Sequence, residues 1–240
     1  MITKEAISDS DNYQIAIDGP VAAGKGTVSR LVAERLNFVY VDTGAMYRTS
    51  AYLAKKNGVD FSDEAKIAEL VAQADIDVRA PEDSEKDGRL ATVLLNGEDV
   101  SWAIRTEDIS KGSSQVAALP EVRRVLVEKQ QQIAVGKNVV MEGRDITYRV
   151  LPHAMLKIFL TGSDIVRAKR RHVQLLTKGE DISFEDVYKE LLERDERDMN
   201  RDTDPLKIVD DAWKIDTSDL TIEQVVEIIV GRVRAVRENL

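Results

Sequence analysis

The sequence predicts an α/β fold, a five-stranded parallel sheet with helices on both faces. Short apolar runs alternate with stretches whose apolar residues recur at helical spacing. The first run, from Tyr13 to Asp18, leads straight into a glycine-rich turn with one lysine. The residues richest in chemistry follow the ends of the runs, where open parallel sheets hold their ligands.

The first strand begins at Tyr13, and its turn has the pattern Gly19-x-x-x-x-Gly24-Lys25. Strand, glycine turn and helix in that order are the context of a phosphate-binding loop. Gly19 and Gly24 let successive N–H groups point inward as an anion nest. A helix opening near Lys25 adds unsatisfied N–H groups and the positive end of its dipole. Val28, Leu31, Val32 and Leu36 give that helix an apolar face. The bland alternative is a glycine turn with a solvent-facing lysine. Gly26 follows the lysine and the hydroxyl comes one later, at Thr27, which leaves the usual hydroxyl-to-magnesium contact open.

A second strand is expected at 38–41, then a turn at 42–44. A helix over 45–57 stops at Gly58, and another is expected over 59–74. The composition then turns polar and acidic over 80–88. Asn96-Gly97 between two apolar runs is a hairpin signal, because both positions tolerate positive φ. With 76–79 it predicts a two- or three-stranded β insert over 75–104, outside the main sheet. Helices follow at 106–118 and 120–135, Pro120 suiting a first helical position. Strands are expected at 138–142 and 155–160, and a strongly basic helix at 165–176. Ser183 with Asp186 caps a long helix that ends in the charge run 193–202. The last strand is 212–216, and Thr221 with Gln224 caps the final helix.

The chain of 240 residues suits one domain with insertions, and 43% hydrophobic with 32% charged residues is ordinary for a soluble protein. No apolar run approaches a membrane span. Residues 1–12 are polar, carry Asp9 and Asp11, and are expected to be a flexible terminus and no secretory signal. Without cysteine there is no disulfide framework or thiolate site, which suits a reducing cytoplasm. A net charge of −9 argues against a dedicated nucleic-acid binder. The two histidines, His153 and His172, stand in no metal or catalytic spacing and are expected at the surface or half-buried.

Beyond the phosphate loop three groups stand out. They are Asp42-Thr43-Gly44-Ala45-Met46-Tyr47-Arg48, Glu142-Gly143-Arg144-Asp145, and the run from Arg194 to Arg201. Ser114-Gln115, Arg123 and the Arg170-Arg171 pair join them. Taken alone, a run such as 194–201 is a solvated helix face laced with ion pairs. Next to a phosphate loop, so many arginines gain another meaning. Phosphoryl transfer needs charge aimed at phosphate oxygens and two substrates held in line, with no histidine base. Arginine suits it through a planar fork and a permanent charge.

On these motifs, from about Gln14 to the final helix, the chain resembles the bacterial cytidylate kinases, in the longer type with an insert in the monophosphate-binding region. The resemblance implies a P-loop kinase fold with a helical lid. It implies a cytoplasmic enzyme of pyrimidine nucleotide metabolism that uses ATP and Mg²⁺ to phosphorylate CMP or dCMP. Its domain would span 13–240, with core at 13–58, 105–162 and 203–240, the monophosphate-binding insert at 59–104 and the lid at 163–182. Gly19, Pro20, Val21, Ala22, Ala23, Gly24, Lys25, Gly26 and Thr27 would hold the ATP phosphates. Tyr47, Arg48, Arg144 and Arg201 would take the CMP phosphate, and Arg194 and Asp198 the sugar; Thr43, where the family often has serine, would belong to the CMP site with its hydroxyl kept. Ser114, Arg123 and Asp145 would take the base. Arg167, Arg170 and Arg171 would lie on the lid, Arg167 toward ATP. Lys25, Arg144, Arg170 and Arg171 would act on the moving phosphoryl group, and no protein metal ligand is assigned. The partners would be nucleotides, with no nucleic acid or membrane, and the chain a monomer. After Gly143-Arg144-Asp145 the family commonly has a hydrophobic residue, Gly, then Thr; here Ile146-Thr147-Tyr148 stands, which bears on the loop's backbone.

The base assignment has its own chemistry. Cytosine offers a donor at N4 and acceptors at N3 and O2, which a carboxylate and an arginine match. Uracil would set an oxygen against Asp145, acceptor to acceptor. A GTPase-type switch is disfavoured, since neither Asn-Lys-x-Asp nor Asp-x-x-Gly occurs. A P-loop kinase for a small metabolite such as a shikimate-type acid leaves the base- and sugar-binding residues and the insert unexplained.

Overall fold

The computed structural model describes residues 12–85, 87–177 and 179–237. The expected flexible terminus therefore lies, but for Asn12, outside the described residues. Five parallel strands form the main sheet: β1 (Gln14–Asp18), β2 (Val39–Asp42), β6 (Val139–Gly143), β7 (Leu156–Thr161) and β8 (Trp213–Asp216). Their order is β2-β6-β1-β7-β8, with β1 at the centre as a phosphate-loop strand requires. Both faces of the four strands β1, β2, β6 and β7 are covered, so these are near-continuous apolar runs, while the edge strand β8 buries only Ile215. Ile15, Ile17, Tyr40, Val140 and Ile158 face one buried cluster; Ala16, Val41, Val139 and Met141 face the other.

Register determines what the strand ends bring together. Asp18 lies opposite Gly143 and Phe159, and Asp42 opposite Glu142. Three carboxylate-bearing positions thus share one end of the sheet.

Helices α1 (Lys25–Leu36), α2 (Thr43–Lys56), α3 (Glu64–Gln73), α4 (Glu107–Val116), α5 (Pro120–Ala134), α6 (Asp164–Thr177), α7 (Phe184–Asn200) and α8 (Ile222–Arg237) surround the sheet. Two starts differ from expectation for local reasons. Residues 42–44 are no turn, because the Asp42 carboxylate accepts from Ala45 N at 2.9 Å and caps α2 directly. Helix α3 begins at Glu64 and not at 59, since Asp60 folds the chain into a local turn through Ser62 N and Oγ. Asp63 then caps it through Lys66 N. The final helix carries the expected reciprocal box, Thr221 N to Gln224 Oε1 and Gln224 N to Thr221 Oγ1.

The insert is a three-stranded antiparallel sheet of β3 (Ile76–Arg79), β4 (Thr92–Leu95) and β5 (Glu98–Asp99). Its hairpin turns at Asn96 (φ 51°) and Gly97 (φ 81°). Ile76, Val78, Val93 and Leu95 belong to the same buried cluster as Ile67 and Val71 of α3. One element has no counterpart in the sequence reading: residues Ile146–Val150 form a single turn of π-helix after β6. Among the described residues no helix is long and apolar enough to cross a membrane.

Candidate active site

The phosphate loop is shaped by two close approaches and one left-handed residue. A β-carbon on Gly19 would lie 2.0 Å from the Leu160 carbonyl oxygen, so only glycine passes β7. Gly24, at φ 92°, sits at the N-cap of α1. A β-carbon on Gly26 would lie 3.2 Å from Glu142 Oε1, 3.5 Å from Leu90 Cδ1 and 3.6 Å from the Tyr40 hydroxyl. Of these only the approach to Glu142 is tighter than ordinary packing, so a side chain at 26 would press on that carboxylate; Thr27 lines the cleft. Lys25 is buried, with Nζ donating to Pro20 O at 2.8 Å. Burial, with Arg144 nearby, lowers its amine to about 7, while Glu142 opposes the shift.

The strand ends supply carboxylates and arginines in pairs. Asp42 Oδ2 accepts from Arg48 Nη2 at 2.8 Å, with Arg105 Nη2 4.0 Å away. Burial raises the Asp42 carboxyl, but Arg48 and Arg105 outweigh it and the net shift is downward. Glu142 is pushed up by burial and by Asp42 beside it. Arg144 Nε donates to Asp198 Oδ2 at 2.7 Å, joining β6 to α7. Arg194 is lowered to about 10 by burial and by Arg144. Arg48 Nε, Arg105 Nε and Nη2, Arg194 Nε and the Tyr47 hydroxyl are buried without hydrogen-bond partners, and all five groups belong to cleft-lining residues. Such donors call for acceptors that a polyanion supplies.

At the other end of the cleft Arg123, 1% exposed, is held on three sides. Nη2 donates to Asp145 Oδ2, Nε to Asp204 Oδ2 at 3.0 Å and Nη1 to Ala117 O at 3.0 Å. Its guanidinium carbon lies 5.4 Å from the Tyr47 ring centroid. Arg201 Nη2 lies 3.8 Å from Asp145 Oδ1.

A cleft of about 330 Å³ brings these parts together: Lys25, Gly26, Thr27, Thr43, Tyr47, Arg48, Ser114, Arg123, Arg144, Asp145, Arg171, Arg194, Asp198 and Arg201 all line it. Val21, Ala22 and Gly24 do so as well; Gly19, Pro20 and Ala23 serve the loop from behind. Two arginines of α6 are not brought there. Arg170 donates to the Thr217 hydroxyl at 2.8 Å and to its carbonyl at 2.6 Å. Arg167, 3% exposed, lies beneath the phosphate loop, donating to Val21 O and Gly162 O at 3.0 Å and pairing with Asp195. Its expected ATP contact is corrected to a brace under the loop, because its donors are already engaged with backbone and carboxylate. His153 is exposed and His172 half-buried.

Sequence reasoning missed Arg105, Asp204, Leu90 and the role of Asp18. Asp18 accepts from Ile146 N at 2.9 Å, Thr147 N at 2.8 Å and the Thr147 hydroxyl at 2.6 Å, and so holds the π turn that follows Arg144 and Asp145. Thr147 has no positive φ, so the backbone there does not require glycine. Asp204 carries one signal, a positive φ directly before Pro205, but that shows only in the folded chain.

A family model described as cytidylate kinase matches residues 15–235. A cytidylate kinase of Carboxydothermus hydrogenoformans is 46% identical over 213 residues, covering 89% of this chain and 93% of that one. A cytidylate kinase of Bacillus subtilis is 45% identical over 219 residues, covering 91% and 95%. Among solved structures, an uncharacterized protein from Eubacterium ventriosum aligns at a TM-score of 0.50 and 13% identity, covering 94% of this chain and 99% of that one. At that identity the likeness speaks for the fold alone.

Proposed function

The chain belongs to the cytidylate kinase family, and from that premise we propose how its cleft moves the γ-phosphoryl group of ATP to CMP or dCMP. The observation that carries the reading is the continuity of one cleft from Lys25 to Asp145, with Arg144 within electrostatic reach of both Lys25 and Asp198. ATP phosphates sit in the nest of 19–27. The acceptor phosphate meets Arg48, Arg144 and Arg201, joined by Arg105, whose buried Nε and Nη2 make no hydrogen bond and whose charge is met by Asp42 at 4.0 Å. Arg194 and Asp198 take the sugar; Ser114, Arg123 and Asp145 take the base.

The acceptor is already an oxyanion, so no strong base is needed. The protein's work is alignment and neutralisation of charge on the transferring group. Lys25 and Arg144 act in the cleft as it stands, and Arg171 already lines it. Residues 59–104 and 163–182 act as moving parts that close over the substrates, bringing Arg170 off Thr217 and excluding water that would otherwise hydrolyse ATP.

Magnesium suits the donor set. Among the described residues no group of three or more His, Cys, Asp or Glu forms a metal cage. Thr27 and Glu142 line the same cleft, and hard oxygen donors in small number fit an ion that keeps its waters and arrives on ATP phosphates. When bound, the ion neutralises charge on the phosphate oxygens. One chain supplies every group named here, so a monomer suffices, and a cytoplasmic enzyme is the setting that suits it.

Turnover with CMP, dCMP, UMP and AMP under saturating ATP tests the reading. CMP and dCMP should exceed the other two in kcat/KM; equal rates on all four would overturn the base assignment.

A further inference from the structure

We propose that Asp204 is a positioning residue for base selection, acting through Arg123 and Arg201. The inference rests on the reading of this cleft as the CMP site and adds a residue to it. Asp204 holds both arginines with different groups. Its carboxylate accepts from Arg123 Nε at 3.0 Å, and its main-chain carbonyl accepts from Arg201 Nε at 2.7 Å and from Arg201 Nη2. These are the two guanidinium groups beside the Asp145 carboxylate.

The consequence lies at Asp145. Arg123 gives Asp145 one nitrogen, on Oδ2, because its Nε is turned to Asp204. Arg201 stays 3.8 Å from Oδ1 because its Nε and Nη2 are committed to Asp204 O. Oδ1 therefore keeps acceptor capacity, which a cytosine amino group can use and a uracil carbonyl cannot. Without the Asp204 carboxylate the Arg123 fork is free to turn further onto Asp145 and use up that acceptor, or its Nε is left buried without a partner, while Arg201 stays on the residue-204 carbonyl.

The backbone shows that the position is held. Asp204 has φ 47°, a region costly for a non-glycine residue and disfavoured again before proline. Its neighbours fix it there: Pro205 O accepts from the Tyr148 hydroxyl at 2.5 Å, and Leu206 N donates to Asp198 O at 2.8 Å.

The positive φ also supplies the control. Asp204→Gly removes the carboxylate while relieving the backbone, and Asp204→Asn keeps an acceptor in a residue that tolerates this conformation. In Asp204→Gly, KM for CMP should rise about tenfold and the CMP-over-UMP ratio of kcat/KM should fall about tenfold. KM for ATP should hold, and Asp204→Asn should stay within about threefold of the parent. Asp204→Gly with unchanged CMP affinity and unchanged selectivity would overturn the inference, as would parallel losses toward ATP and CMP. Calorimetric CMP binding by the same variants needs no turnover. Tighter or equal CMP binding in Asp204→Gly sinks the proposal for Asp204, whereas failure of the parent protein to bind or phosphorylate CMP sinks the reading it rests on. Should Asp204→Gly not fold, Asp204→Ala, which also removes the acceptor, against Arg123→Lys in a double-mutant cycle decides: coupling in CMP affinity supports the role and strict additivity refutes it.

Discussion

Lys25 is the residue whose charge the site most controls. Its amine sits at about 7 against an ordinary 10.5, because burial and Arg144 disfavour the charged form. The phosphates of ATP favour that form, so binding above pH 7 draws in a proton. Apparent ATP affinity should therefore fall as pH rises above about 7, by up to about tenfold per pH unit. Calorimetry in two buffers of different ionisation enthalpy should find uptake of close to one proton near about pH 8; no uptake would remove the account of Lys25. At Asp145, replacement by alanine should raise KM for CMP by about tenfold or more while changing that for ATP little, since the side chain lies at the far end of the cleft. Titrations showing the reverse order would count against its placement at the base. Gly26 illustrates how a local exception becomes legible only in three dimensions: a side chain there would press on the Glu142 carboxylate, far from it in sequence.

The element that sets the acceptor side is the π turn Ile146–Val150 together with the carboxylate beneath it. Asp18 is raised to about 6, chiefly by burial, while Thr147 and Ile146 pull it back. A carboxyl raised in the folded state keeps its proton where the unfolded chain has lost it, so stability falls as pH climbs from about 4 to about 6. Thr147→Val removes the 2.6 Å hydroxyl donor with little change of shape. It should cost about 1.5–3 kcal/mol where Asp18 is ionised, and less where it is protonated. Urea denaturation of both proteins at pH 5 and pH 8 measures this; an equal loss at both pH values would show that Thr147 contributes packing alone. The strands, by contrast, were open to reading from the sequence, because burial on both faces leaves a plain apolar run such as Gln14–Asp18 or Val139–Gly143. Helix starts at Asp42 and Asp63 were shifted because short polar side chains cap and turn on contacts that periodicity does not register.

At the scale of the molecule, an acidic chain of net charge −9 sets eight cationic side chains around one cleft, Lys25, Arg48, Arg105, Arg123, Arg144, Arg171, Arg194 and Arg201. Much of that cleft was legible, since the phosphate loop, Arg48, Arg144, Asp145 and Arg194 follow strand ends or a charged helix. Arg105 and Asp204 were not, because each matters only through neighbours brought close by folding: Asp42 for one, Arg123 and Arg201 for the other. Arg167 misled for the same reason in reverse, its basic helix passing under the loop it was expected to face. The whole arrangement makes sense if two nucleotides lie end to end across it. Calorimetric titration of CMP into the protein saturated with a non-hydrolysable ATP analogue tests that most directly. The account predicts one CMP bound per chain with affinity equal to or higher than without the analogue; displacement of one nucleotide by the other would contradict it.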